Sequence, residues 1–264
     1  MDELLIYQAV GSVLWLTLNR PESHNALNPA LITGLTAVFR SLRHQPEIRV
    51  VVLTGSGRSF CAGADLAFMR AAADYTFAEN VADGEAIFDL MQAVDNCPQP
   101  VVGRINGAAI GGGVGLVACC DSVVAVERAR FAFSETRLGI VPAVISPFVL
   151  AKIGVGSGRE LFLTGERFTA ERARQIGLVQ HVVAEEELDT AVADRVNNLL
   201  QAAPGAQAAA KELIRTVAQQ PHTAVRDYTA HLIAERRASD EGREGMSAFL
   251  QKRRPSWQSD SQDA

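Results

Sequence analysis

Apolar residues recur along this chain in two alternating rhythms. Residues 4–9 and 13–18 are short apolar runs split by Gly11-Ser12, and they predict two strands joined as a hairpin. Asn28-Pro29 has the form of a helix start, an N-cap followed by proline at the first helical position. Leu31, Ile32, Leu35, Val38, Phe39 and Leu42 then repeat on one face. Residues 48–54 read as an apolar strand of the kind buried in a parallel sheet. Residues 76–94 predict a helix whose apolar stripe is Ala86, Ile87, Leu90, Met91 and Val94. The buried-strand pattern returns at 100–105, and a helix follows over 114–120.

Short strands are predicted at 122–126 and 130–133, with a connection over 134–139 and an irregular segment bracketed by Pro142 and Pro147. Helices follow at 157–163 and 169–176, then a strand at 178–183. From Glu185 the pattern is helical as far as Lys252, and the polar tail after Pro255 predicts a mobile end. Strands and helices thus alternate to about residue 184 and helices alone follow, which predicts an α/β core with a helical C-terminal extension. Successive strand–strand–helix units suggest a structural repeat, with no repeat of residue identity.

The 264 residues suffice for one large domain or a domain with an extension. A net charge of −5, with 48% hydrophobic and 21% charged residues, gives no general attraction to nucleic acid or to an anionic membrane. The four cysteines, Cys61, Cys97, Cys119 and Cys120, form no Cys-x-x-Cys pair and have no histidine at ligand spacing, so no metal site is expected. Cys119-Cys120 fall in an apolar helix and read as buried free thiols of a reducing compartment. Met1-Asp2-Glu3 lacks the basic start of a signal peptide, and no charge-free apolar run reaches membrane-spanning length. A cytoplasmic location is expected. The sequence has no nucleophile-elbow serine, phosphate loop or dinucleotide fingerprint.

Two glycine-rich turns stand out as candidate chemistry. Cys61-Ala62-Gly63-Ala64-Asp65 follows one buried strand, and Asn106-Gly107 through Gly111-Gly112-Gly113 follows the next. Small residues let backbone approach a ligand, and a helix opening at such a turn leaves free N–H donors. Two such turns facing one another could hold one oxygen atom between two N–H groups, an oxyanion hole.

Read in order, 106–113, then Cys120-Asp121, Phe133-Ser134-Glu135 and 138–142 resemble the enoyl-CoA hydratase/isomerase (crotonase) family. The resemblance runs from about Leu14 to Lys252 and includes Asn19-Arg20-Pro21, Asn25-Ala26-Leu27-Asn28 and residues 243–249. It implies a spiral of ββα units over residues 1–197 and a helical trimerisation region over 198–264. It also implies a coenzyme A thioester as substrate, with no separate cofactor, and a homotrimer or homohexamer. By matching position, the N–H groups of Ala64 and Gly112 would hold the thioester oxygen as it becomes an enolate oxygen. Ala62, Asp65, Leu66 and Gly111 would surround the thioester. Ser23, Asn25 and Ala26 would meet the adenine end of CoA, and Phe249 and Lys252 match positions that often reach the CoA of a neighbouring subunit.

Glu135 sits among Phe131, Phe133, Leu138 and Ile140, where a carboxylate is expected to have a raised pKa. It matches one of the family's two catalytic glutamates. The chain departs from the family at Gly115, where hydratases most often carry the second. Three consequences are open. Either Glu135 alone orients water and handles the proton, or Glu135 shuttles a proton as in the family's isomerases, or Tyr75, Glu79 or Asp83 supplies a replacement. The stretch 143–147, Ala-Val-Ile-Ser-Pro, together with Gly-Gly-Gly-Val-Gly-Leu at 111–116, resembles a bacterial subgroup assigned to hydration of methylglutaconyl-CoA or its isohexenyl-branched analogue. Arg137 and Arg70 are the candidate partners for the distal carboxylate of such a substrate. A catalytically idle scaffold or RNA-binding member is the remaining alternative, opposed by the negative charge and by Glu135.

Overall fold

The computed structural model describes residues 4–218 and 220–258. The N-terminal hairpin forms as the pattern predicts: β1 (Leu5–Val10) pairs antiparallel with β2 (Val13–Leu18). Helix α1 (Pro29–Ser41) opens where Asn28 Oδ1 accepts the Leu31 N–H at 2.8 Å, a side-chain cap that satisfies one orphan donor. Its Leu31, Ile32, Leu35 and Phe39 are buried in the core, each contributing about 1.5–3 kcal/mol on transfer from water. Strand β3 (Val50–Gly55) is buried at every position, as an interior parallel strand must be.

Beyond it the order is β4 (Ser59–Cys61), α2 (Leu66–Ala72), α3 (Phe77–Asp95), β5 (Val101–Ile105), β6 (Ala108–Ile110), α4 (Gly112–Cys119), β7 (Ser122–Val126), β8 (Arg130–Ala132), α5 (Ser146–Thr164), β9 (Arg167–Thr169), α6 (Ala170–Gln175) and β10 (His181–Val183). Four helices complete the described residues: α7 (Leu188–Leu200), α8 (Pro204–Ala218), α9 (Arg226–Ala238) and α10 (Asp240–Leu250). A six-stranded sheet has the order β1-β2-β3-β5-β7-β10, parallel throughout except for the first hairpin. A four-stranded sheet has the order β4-β6-β8-β9, in which β9 runs antiparallel. Each turn of the spiral thus lays one strand in the large sheet, the next in the small sheet, and then returns by helix: β3 and β4, β5 and β6, β7 and β8. The repeat suggested by the sequence is this alternation between sheets.

Three sequence expectations are corrected. The small sheet was not predicted, because β4, β6 and β9 have three residues each, too few for a period to show. Helix α5 begins at Ser146 rather than 157; Pro147 sits in its first turn, and the helix breaks at Gly154 (φ 72°, ψ 165°). The predicted mobile tail is docked as far as it is described. Trp257 Nε1 donates to Gln201 O at 3.1 Å, Arg49 donates to Trp257 O at 2.7 Å, and the indole packs on Gly245. Before it, Arg253 forms a two-pronged pair with Glu244 at 2.6 and 2.7 Å, which holds the Glu244 carboxyl down at about 2. No helix among the described residues is long and apolar enough to cross a membrane.

Candidate active site

The two glycine turns lie against each other, backbone to backbone. A Cβ on Gly113 would stand 2.2 Å from Cys61 O, and one on Gly63 would stand 2.7 Å from Ile110 O and 3.7 Å from Gly112 N. Gly63 also has φ +86°, in the left-handed region that glycine adopts without strain. The pairing of β4 with β6 brings the turns together, since each turn follows one of these strands directly.

Ala64 is held by a parallel bridge to Leu27. Leu27 N–H donates to Gly63 O at 2.7 Å and Leu27 O accepts from Asp65 N–H at 2.9 Å. In a parallel bridge these bonds use the groups flanking Ala64, so its own N–H points away from Leu27. Gly112 is the first residue of α4, where N–H groups have no intrahelical acceptor. Neither N–H meets an acceptor among the described residues. Both residues line a cavity of about 350 Å³.

A buried polar frame fixes the first turn from behind. Arg20 bonds Asp65 at 2.8 Å and also the Ala26 carbonyl, while Asp65 caps α2 through the N–H groups of Ala67 and Phe68. The hydrogen bond from Arg20 holds the Asp65 carboxyl below the ordinary carboxylate range. Asn25 is fully buried with φ +57°; its amide donates to Ser56 O and Ser59 O and accepts from Arg20 N–H. Its side chain is therefore spent on holding the loop.

Glu135 lies in a 3-10 turn over 134–138 that follows β8. Beneath it Phe133 meets Phe162 edge-on at 4.7 Å, and Phe168 packs against both Phe131 and Phe133. The carboxyl reaches the second glycine turn: a Cβ on Gly111 would stand 2.9 Å from Glu135 Oε1, so any side chain there would displace it. Oε2 is buried and has no partner among the described residues. Burial raises the Glu135 pKa, with its own backbone N–H the smaller opposing influence. Among the residues lining the cavity it is the one titratable group.

Apart from Ser134 the rest of the side-chain wall is apolar, with Leu27, Phe68, Met69, Ile87, Ile110, Leu138 and the segment 140–145. Gly115 does not open into it as a gap. A Cβ at Gly115 would stand 2.5 Å from Ile145 Cγ2 and 3.1 Å from the Met91 methyl. The space beside Gly115 is thus filled by two apolar side chains, Ile145 and Met91, a packing for which the sequence shows only the glycine. Of the suggested replacements, Glu79 is engaged in a capping box with Thr76 on the exposed start of α3, and none of Tyr75, Glu79 and Asp83 lines the cavity.

The predicted site residues fall into three groups. Ala62, Ala64, Leu66, Gly111, Gly112 and Glu135 line the one cavity. Asp65, Asn25 and Ala26 stand behind it, and Ser23 Oγ donates to Arg20 O at 3.3 Å. Phe249, exposed over 83% of its surface, and Lys252, in a left-handed turn at φ +55°, are outside the cavity at the end of α10. Arg137 donates to Thr164 O, and neither it nor Arg70 is on the cavity wall. Sequence reasoning assigned no role to Arg20, although Asn19-Arg20-Pro21 carried part of the resemblance, and none to Ile145.

The chain matches the family model described as enoyl-CoA hydratase/isomerase over residues 8–260. It is 37% identical over 211 residues to an enoyl-CoA hydratase of Alternaria alternata, covering 80% of this chain and 68% of that one. Its fold superposes on a solved enoyl-CoA hydratase from Shewanella pealeana with a TM-score of 0.93 at 35% identity, covering 97% and 96% of the two chains. AtuE from Pseudomonas aeruginosa superposes equally well, with a TM-score of 0.93, 37% identity, and 97% and 100% coverage. With its spiral of ββα units, its facing glycine turns and Glu135, this chain belongs to the enoyl-CoA hydratase/isomerase family, and its fold is that of the crotonases.

Proposed function

We propose that this protein adds water to the double bond of a 2-enoyl-CoA thioester. One observation carries the proposal: the unpartnered Glu135 carboxyl oxygen shares its cavity with two backbone N–H groups that have no acceptor among the described residues. Ala64 and Gly112 N–H hold the thioester oxygen. Glu135 takes a proton from water as the hydroxyl oxygen bonds to the β-carbon, and the π electrons move onto the thioester oxygen as an enolate. The same carboxyl then returns its proton to the α-carbon as the enolate collapses. An N–H pair preorganised for that charge lowers the barrier; losing one such donor typically costs about 3–4 kcal/mol. A raised pKa suits Glu135 to both proton transfers near neutrality.

The acyl end is read from the wall. The stretch 143–147 favours a methylglutaconyl or isohexenylglutaconyl type of substrate, but the cavity holds no cation for a distal carboxylate. We therefore favour a substrate whose apolar end occupies the cavity beside Phe68, Met69, Ile87 and Val144, with any distal carboxylate left at the mouth. The CoA would run from Ser23–Ala26 outward. Phe249 and Leu250, exposed on α10, suit contact with a neighbouring subunit, and residues 198–264 are proposed as the region that assembles a homotrimer or homohexamer. The four buried free cysteines suit the cytoplasm.

A second function, double-bond migration in a 3-enoyl-CoA, is favoured by the apolar filling around Gly115, because one carboxyl suffices to carry a proton between two carbons. Incubation with crotonyl-CoA, 3-methylglutaconyl-CoA and a 3-enoyl-CoA, followed by mass spectrometry and chromatography, separates the two. Water addition to a 2-enoyl thioester supports the hydratase. Migration in the third substrate, with no water added to either of the others, supports the isomerase.

A further inference from the structure

The turn that carries Glu135 is a single 3-10 segment, too short to fix a side chain by its own hydrogen bonds. It is tied instead to the last turn of α5. Thr136 Oγ1 donates to Phe162 O at 2.8 Å, and Arg137 Nε donates to Thr164 O at 3.1 Å. These carbonyls belong to the end of the helix, where intrahelical donors run out. The Phe133–Phe162 contact adds a third tie from the other side of Glu135. Gly165 closes α5 at φ +57°, and a Cβ there would stand 3.1 Å from Thr136 Oγ1 and 2.9 Å from Arg137 Cγ, so only glycine leaves the joint closed.

We propose that Thr136 is a positioning residue for Glu135: its bond to Phe162 O locks the turn so that the carboxyl faces Gly111 and the cavity. Thr136 is not on the cavity wall, so it acts through Glu135 and touches no reacting atom. No other titratable group lines the cavity, and the nearby Arg137 side chain is directed to Thr164 O. Loss of the Thr136 bond therefore acts by geometry, not by removing a neighbouring charge. The proposal rests on Glu135 being the acid–base group.

The experiment compares Thr136→Val, which keeps shape and loses the donor, with Thr136→Ser, which keeps the donor. Turnover of crotonyl-CoA is measured for each. The Glu135 titration is followed by carbon NMR of labelled carboxyls, assigned with Glu135→Gln. Misplacement of the carboxyl predicts a kcat about tenfold or more lower in Thr136→Val. KM stays within about twofold, since ground-state binding is untouched. The Glu135 titration moves in Thr136→Val, and Thr136→Ser restores both readouts. Thr136→Ala removes the same bond with less bulk and is measured alongside, with melting temperatures, so that a fold defect in one variant does not decide the result. Wild-type kcat and an unmoved titration in folded Thr136→Val or Thr136→Ala overturn the proposal. Full activity in Glu135→Gln would instead overturn the role of Glu135, and the NMR titration would still report whether Thr136 positions it.

Discussion

Ile145 Cγ2 stands 2.5 Å from where a Cβ on Gly115 would be, so these two residues interlock across the cavity wall. Gly115 is the socket for Ile145, with the Met91 methyl packed beside it.

The interlock predicts that Gly115→Ala destabilises the protein even though alanine is the better helix former. The gain in helix propensity is about 1 kcal/mol. Forcing a methyl into this contact costs about 1–3 kcal/mol, and the clash with Ile145 Cβ and the Met91 methyl as well puts the cost at the upper end. In an Ile145→Ala background, whose own cavity costs about 2–5 kcal/mol, Gly115→Ala should cost much less than it does in wild type. Denaturant melts of the two single variants and the double variant measure the coupling; simple additivity would refute the interlock.

Glu135→Gln should lower turnover by about 10²–10⁴-fold while stabilising the folded protein at high pH. Burial raises the folded pKa of Glu135, so the fold favours the protonated form. That stabilisation is complete below the unfolded pKa and is lost as pH rises through the folded value. Above it, wild type bears the cost of an ionised buried carboxyl that glutamine avoids. The melting-temperature advantage of Glu135→Gln should therefore grow with pH, and an advantage that shrinks with pH would contradict the assigned cause.

Gly113→Ala should lose both stability and activity, because its methyl would be driven to 2.2 Å from Cys61 O and would part the two turns. Gly139→Ala is the control. It shares with Gly63 a positive φ, but a Cβ there meets nothing within 4 Å, so strain without a clash should spare the cavity. Turnover after correction for folded fraction distinguishes them.

Asp65→Asn tests the frame behind the first turn. Asparagine can keep the α2 cap through its own Oδ1, but Arg20, only 14% exposed at its side chain, loses its counter-charge. The expected loss is about 2–4 kcal/mol at neutral pH. The folded pKa of Asp65 is depressed, so its contribution is present above the unfolded value and lost as pH falls through the folded one. The gap between wild type and variant should close in acid, as read by chemical denaturation.

The large sheet, the helical C-terminal region and the glycine turns were legible because each rests on a long pattern or a distinctive residue. The hairpin at Gly11-Ser12 and the cap at Asn28 follow from local chemistry. The small sheet was not legible, since its short strands are specified by what they pair with rather than by their own residues. Glu135 was found by its apolar flanks together with its match to a catalytic position of the family it resembles. Ile145 was not, because an isoleucine filling a glycine socket is a relationship between distant positions, and neither residue signals it alone. Trp257 was missed for the same reason: its partners, Gln201, Gly245 and Arg49, lie far from it in the chain.

The most direct test of the account is the fate of crotonyl-CoA with wild type and Glu135→Gln in water enriched in heavy oxygen, followed by mass spectrometry of the acyl product. Wild type is expected to form a hydroxyacyl-CoA carrying one heavy oxygen, and the variant almost none. Unchanged crotonyl-CoA with folded wild type, or equal product from the two proteins, would contradict it.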